Sequence, residues 1–266
     1  MGLTMSYSKT ALISGASSGI GAVYAERLAA RGFNLVLVAR RADRLSTLAE
    51  KLQQAGSTSV RTIAADLTNE ADIGRIENVL RNEAIDLLVN NAGMGPNAST
   101  AVMSDADAAA TLALNVNALV RLTRAALPSM RTRKTGAIVN VGSVLAFHAL
   151  PSTSLYSATK AFVLTFSRGV QQEVKDDGIV VQALLPAGTI TEFYGTAGLS
   201  IDDFDPRVFM TAEQLVDAAL AGLDRGEEVT MPSVHDQHLW DDFDAARQKL
   251  FGGTQNGAPA ERYLVA

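Results

Sequence analysis

Cysteine is absent from this 266-residue chain, which excludes disulfides, thiolate nucleophiles and Cys-ligated metals and makes a reducing cytoplasm the expected setting. No apolar run reaches the roughly 18 residues of a membrane-spanning helix, so no membrane association is expected. Met1 to Lys9 lacks the apolar core of a signal peptide. Met1-Gly2-Leu3-Thr4-Met5-Ser6 fits a short myristoylation pattern and is read as a chance match. Basic residues number 23 against 28 acidic ones, a net charge of −5, so no basic surface advertises nucleic acid. Internal repeats, low-complexity tracts and Pro/Gly linkers are also missing, and one domain over 1–266 is expected. What is present is apolar: 47% of residues against 19% charged, enough for a substantial core and too much for disorder.

Apolar strand-like runs alternate with helical patterns along most of the chain. Strands are expected at Thr10–Ser14, Asn34–Ala39, Val60–Ala64, Asp86–Asn90, Gly136–Val141 and Ile179–Leu184, with a short closing strand near Glu228–Met231. Between them the pattern predicts helices over Ile20–Arg31, Ala42–Ala55, Asn69–Glu83, Ala106–Arg131 and Tyr156–Lys175. The fold class is therefore α/β: a Rossmann-type, doubly wound, mainly parallel seven-stranded sheet with helices on both faces. Residues 189–210 read as irregular, a possible substrate flap, and the run Asp202-Asp203-Phe204-Asp205 within them reads as solvated loop.

The first strand runs straight into Gly15-Ala16-Ser17-Ser18-Gly19-Ile20-Gly21, where a helix begins. Glycines let the backbone turn and approach a pyrophosphate whose charge the helix N-terminus stabilises, so this loop is a dinucleotide-site candidate. The second strand ends in Ala39-Arg40-Arg41 rather than in a carboxylate that would bind ribose hydroxyls and repel a 2′-phosphate. Arg40 can pair with that phosphate, which favours NADP over NAD, whereas Arg41 reads as a helix-start arginine on a solvated surface. Tyr156 and Lys160 are four apart on one helix face, so hydroxyl and ammonium can share a cleft. A fixed cation there is expected to lower the phenol pKa and make Tyr156 an acid or base near neutrality.

Six motifs together resemble the short-chain dehydrogenase/reductase family, over roughly residues 8–232. They are the glycine loop, Asp66-Leu67, Asn90-Asn91-Ala92-Gly93, Asn115, the segment from Asn140 and Ser143 to Tyr156 and Lys160, and Pro186 through Thr191. The resemblance implies a catalytic group of Asn115, Ser143, Tyr156 and Lys160. Ser143 would bond the substrate oxygen, Tyr156 would exchange its proton, Lys160 would hold the nicotinamide ribose, and Asn115 would fix a water that links Lys160 to solvent. Asn117 is the bystander. It also implies cofactor contacts at Gly15, Ser17, Ser18, Gly19, Ile20, Gly21, Arg40, Asp66, Leu67, Asn90, Ala92, Gly93, Tyr156, Lys160, Pro186, Gly188 and Thr191. Asp66 would meet adenine, and Asn90 and Gly93 would flank its ribose and support the central sheet. One departure stands out: the family has Pro-Gly after the sixth strand, and here Ala187 separates Pro186 from Gly188.

By the same resemblance, Met94, Val144, Leu145, Phe147, Leu150, Phe193, Tyr194 and Trp240 are substrate-pocket candidates, and their apolar character suits a hydrophobic ketone, aldehyde or alcohol. His235 and His238 have HxxH spacing without accompanying Cys or Glu, so no metal site is expected. His148 reads as a satisfied or exposed histidine, with substrate contact as the alternative. Asp241-Asp242-Phe243-Asp244 reads as a solvated helix face in a C-terminal extension over 233–266. The expected activity is hydride transfer between NADP(H) and a small-molecule carbonyl or secondary alcohol by a cytoplasmic homo-oligomer, dimer or tetramer. Its alternatives are an NADP(H) sensor without turnover and a redox-neutral epimerase or dehydratase.

Overall fold

In the computed structural model, which describes residues 9–56 and 59–264, the apolar runs are strands and the periodic stretches between them are helices. The myristoylation-like pattern at residues 1–6 lies outside the described residues. In chain order the first half comprises β1 (Thr10–Ser14), α1 (Gly19–Ala30), β2 (Asn34–Ala39), α2 (Ala42–Gln54), β3 (Val60–Ala64), α3 (Glu70–Asn82) and β4 (Leu87–Asn90). Then come α4 (Asp105–Leu112), a π-helical segment (Ala113–Ala118), α5 (Leu119–Arg133), β5 (Gly136–Val141), α6 (Ser154–Val174) and β6 (Ile179–Leu184). β7 (Gly188–Ile190), α7 (Phe193–Thr196), β8 (Phe209–Thr211), α8 (Ala212–Asp224), β9 (Val229–Thr230) and α9 (His238–Gly253) complete the chain.

The main sheet is parallel throughout, in the order β3-β2-β1-β4-β5-β6-β9. Its central strands are buried on both faces; Leu12, Ile13, Leu88, Val89, Ile138 and Val139 are 0% exposed, as expected of a sheet covered twice. Each such aliphatic side chain removed from water contributes about 1.5–3 kcal/mol before entropy is counted. Side chains of α1 and α8 fill one face and those of α3, α5 and α6 the other. β3 departs from the apolar pattern: it is an edge strand, and Arg61 and Thr62 are exposed.

Two expectations are corrected here. The helix expected over 106–131 is α4 and α5 joined by the π segment, which inserts an extra residue into the turn at Asn115. Residues 189–210, expected to be irregular, hold regular elements: β7 and β8 pair in parallel, and Tyr194, Phe204 and Phe209 form a three-way edge-on cluster with centroids 5.3–5.9 Å apart. Asp205 in that segment caps the next turn and pairs with Arg207 at 2.6 Å. The chain divides into two compact units, 1–232 and 233–266. In the second unit α9 buries none of its residues, and Trp240 packs beside Phe243 at 5.5 Å. Among the described residues no helix is long and apolar enough to cross a membrane.

Candidate active site

In an open parallel sheet the strand C-termini border a crevice where the chain order reverses, here between β1 and β4. A cleft of about 680 Å³ lies there, entirely within the first unit. It is lined by Gly15, Ser17, Ser18, Gly19, Ile20, Arg40, Asp66, Leu67, Ala92, Gly93, Ser143, Tyr156, Lys160, Pro186, Gly188 and Thr191, residues drawn from nearly the whole unit.

Gly15 and Gly19 adopt φ of +69° and +52°, which glycine tolerates best. A Cβ on Gly21 would strike the Gly15 carbonyl, and one on Gly15 would stand 2.7 Å from Asn91 Nδ2. Asn91 Nδ2 donates to the Ser14 and Gly15 carbonyls at 3.0 and 3.2 Å, and Ser14 Oγ accepts from the Asn91 and Ala92 amides at 3.0 and 3.1 Å. The loop is thus stitched to the end of β4. Ser18 stands at the N-cap of α1, yet its side chain caps no amide, which leaves the first-turn donors available to an anion. A cradle with no room for side chains, uncapped amides and arginines at the end of β2 fits a dinucleotide.

Of the two places expected for Asn90, beside the ribose and in support of the sheet, its side chain takes the second and does not line the cleft. Strand alternation turns it into the sheet, 4% exposed, where Nδ2 donates to Thr123 Oγ1 at 3.0 Å and Asn140 Oδ1 at 2.9 Å. Asn140 continues the network to Ser167 at 2.9 Å. The neighbouring Asn91 faces the cleft instead. Arg41 also differs from the solvated reading. Its Nη2 donates to Ser18 Oγ at 2.7 Å and Ser17 Oγ at 3.1 Å, and its Nη1 to Glu192 Oε2 at 2.9 Å. Arg40 lines the cleft with an exposed side chain. Asp66 Oδ1 accepts from the Thr68 amide and hydroxyl at 2.9 and 2.8 Å.

The π segment aims Asn115 inward, where it is 2% exposed. Its Oδ1 accepts from Met94 N at 2.9 Å, and its Nδ2 donates to Met94 O at 2.7 Å and Thr159 Oγ1 at 3.0 Å. Asn117 is exposed. Lys160 is 6% exposed and its Nζ donates to the Val141 carbonyl at 2.9 Å. The same Nζ lies 5.5 Å from the Tyr156 ring centroid. Ser143, buried at the end of β5, accepts from Leu145 N at 3.1 Å and hydrogen-bonds the Tyr156 side chain.

The expected lowering of the Tyr156 pKa is reversed. Removal from water pushes the phenol above its ordinary value, and the bond with Ser143 offsets only part of that rise. Burial acts on Lys160 in the same sense, toward the neutral form, and brings its pKa down to about 8. Gly95 went unnoticed in the sequence. A Cβ there would run into the Tyr156 ring edge and stand 3.0 Å from both Cε2 and Cγ, so the ring rests on bare backbone.

Of the substrate-pocket candidates, Val144, Leu145, Leu150, Phe193 and Tyr194 line the cleft. Met94 serves Asn115 through its backbone, His148 is exposed, and Trp240 belongs to the second unit. Phe193 packs on Tyr156 at 5.6 Å. The displaced Gly188 has a local reason: a Cβ there would meet Val208 O at 2.7 Å and the Phe209 ring at 3.1 Å, so the bare residue lets β8 pair with β7. No group of three potential metal ligands occurs among the described residues.

Residues 9–199 match the family model described as short chain dehydrogenase. The chain is 34% identical to a 17-beta-hydroxysteroid dehydrogenase type 3 from Rattus norvegicus, over 82% of this chain and 70% of that one. It is 35% identical to a very-long-chain 3-oxoacyl-CoA reductase from Danio rerio, over 77% of this chain and 66% of that one. Among solved structures, a short-chain dehydrogenase from Sphingobium yanoikuyae in complex with NADPH is 46% identical and superposes with a TM-score of 0.92, covering 96% of this chain and 100% of that one. A bulky-bulky ketone specific alcohol dehydrogenase from Comamonas testosteroni is 42% identical, with a TM-score of 0.88 over 97% of this chain and 99% of that one.

Proposed function

Because the chain belongs to the short-chain dehydrogenase family, we propose that it is an NADP(H)-dependent oxidoreductase interconverting a bulky apolar ketone or aldehyde and its alcohol, with Tyr156 as acid and base. The observation that carries this reading is the convergence of Ser143, Tyr156 and Lys160 on one wall of a cleft whose other end is the glycine cradle. Bound NADP(H) supplies the hydride. The chain's own residues bind, orient and move the proton.

Gly15 to Gly21 would hold the pyrophosphate, Asp66 and Leu67 the adenine, Arg40 the 2′-phosphate, and Thr191 the carboxamide. Raised by burial, the Tyr156 phenol stays protonated at neutral pH, a proton already in place for a developing alkoxide. Ser143 would orient that oxygen. Lys160, cationic below pH 8, would favour the phenolate left behind, and Asn115, tied to Thr159 and Met94, would keep the route from Lys160 open. The aromatic wall of Phe193, Tyr194, Phe204 and Phe209 supports a bulky apolar substrate, in line with the names of the two relatives and of the Comamonas enzyme. A homo-oligomer in the cytoplasm completes the proposal; Leu112 on α4 and Phe162 on α6, 47% and 38% exposed, support the assembly.

Tyr156→Phe keeps the ring and removes the hydroxyl. Reduction of a bulky aryl ketone with NADPH should fall about 10²–10⁴-fold while NADPH binding and folding persist. Near wild-type turnover in the folded variant would place the chemistry elsewhere.

A further inference from the structure

The lip of the cleft at the end of β2 holds a carboxylate among arginines. Glu192 Oε2 accepts from Arg41 Nη1 at 2.9 Å, and both its oxygens lie 2.7 Å from Arg44 Nη1. The Arg41 guanidinium is fixed from its other side by the Ser17 and Ser18 hydroxyls of the glycine loop. Two cations, one of them held in place by two hydroxyls, therefore converge on one point, and an anion from the chain itself occupies it. The two arginines hold the Glu192 carboxyl below its usual range, Arg44 more than Arg41.

Glu192 is tied on both sides. A Cβ on Gly19 would sit 3.1 Å from Thr191 Cγ2, so the preceding residue rests on the glycine loop, and Phe193 rests on Tyr156. The carboxylate is carried by a segment whose neighbours touch both ends of the cleft. It is not a stray surface acid.

Resting on the reading of this cleft as an NADP(H) site whose 2′-phosphate lies beside Arg40, we propose that Glu192 is a cofactor-specificity residue, an internal anion that competes with that phosphate for the neighbouring Arg41 and Arg44. A phosphate brings more charge and more acceptor oxygens than a carboxylate and can displace it, at the cost of the existing pairs. NAD(H), with hydroxyls at that position, leaves the pairs intact. Glu192 therefore narrows the preference for NADP(H) that the arginines create, and its removal should widen it.

Calorimetric titration of wild type and Glu192→Gln with NADPH, NADH, adenosine 2′,5′-bisphosphate and AMP tests this without turnover. Both pairs are half-exposed, so the gain should be modest: NADPH and the bisphosphate should bind about three- to tenfold tighter to the variant, with NADH and AMP within about twofold. The gain should shrink as salt is raised. Equal changes for the phosphorylated and plain ligands, no change, or weaker NADPH binding would overturn the proposal; the last would mean that Glu192 positions the arginines for the phosphate. Failure of wild type to bind NADPH at all would instead remove the reading of the cleft itself.

Discussion

At the scale of single residues, Tyr156 and Lys160 share a face of α6 with the ammonium 5.5 Å from the ring, and each is nonetheless driven toward its neutral form. Spacing along a helix reports that two groups meet, but says nothing of how much water they lose. That is why the pairing was legible in the sequence and the sign of the tyrosine shift was not. Lys160 gives a measurable consequence. Its folded pKa of about 8 lies below the ordinary 10.5, so between those values the unfolded chain binds more protons and stability rises with pH. Below about pH 8 the full penalty of about 3 kcal/mol is present, and above 10.5 it is gone. Lys160→Met should therefore be more stable than wild type at neutral pH by about 1–3 kcal/mol, net of the lost bond to Val141, with the gap closing toward pH 10.5. Urea unfolding of both proteins across that range measures it, and a gap that stays constant with pH would refute the burial argument. Arg41 illustrates the same limit: Arg40-Arg41 is plain in the sequence, but which guanidinium meets the serines depends on how β2 turns into α2.

At the scale of elements, the strands of the main sheet were legible to within about two residues because parallel strands buried on both faces are continuous apolar runs. The π segment was not, since the apolar period of α4 and α5 runs through it and one extra residue leaves little mark on composition. β7 and β8 were hidden for another reason: three-residue strands have no period to read, and their pairing is set by the bare backbone of Gly188. Gly188→Val tests that device. Its side chain would press on Val208 O and Phe209, which should cost about 1–3 kcal/mol in stability. The loosened aromatic wall should raise KM for a bulky ketone more than for acetone-sized substrates. Thermal melts and paired KM measurements check both, and unchanged values would show that β7 and β8 can separate without consequence.

At the scale of the whole molecule, the outer faces of α4 and α6 carry Leu112 and Phe162 in the open, with Phe162 stacked on Phe166 at 5.7 Å. Burying such a face in a two-fold contact should make the protein a dimer or tetramer at micromolar concentration. Light scattering decides this, and a clean mass near 28.0 kDa would refute it. The strand order has a further consequence, for synthesis. β1 lies between β2, its neighbour in sequence, and β4, which begins at Leu87. A ribosome that has released only β1 to β3 has therefore made the glycine loop without the Asn91 amide that ties it down. The cradle can be stitched down only after Asn91 has emerged.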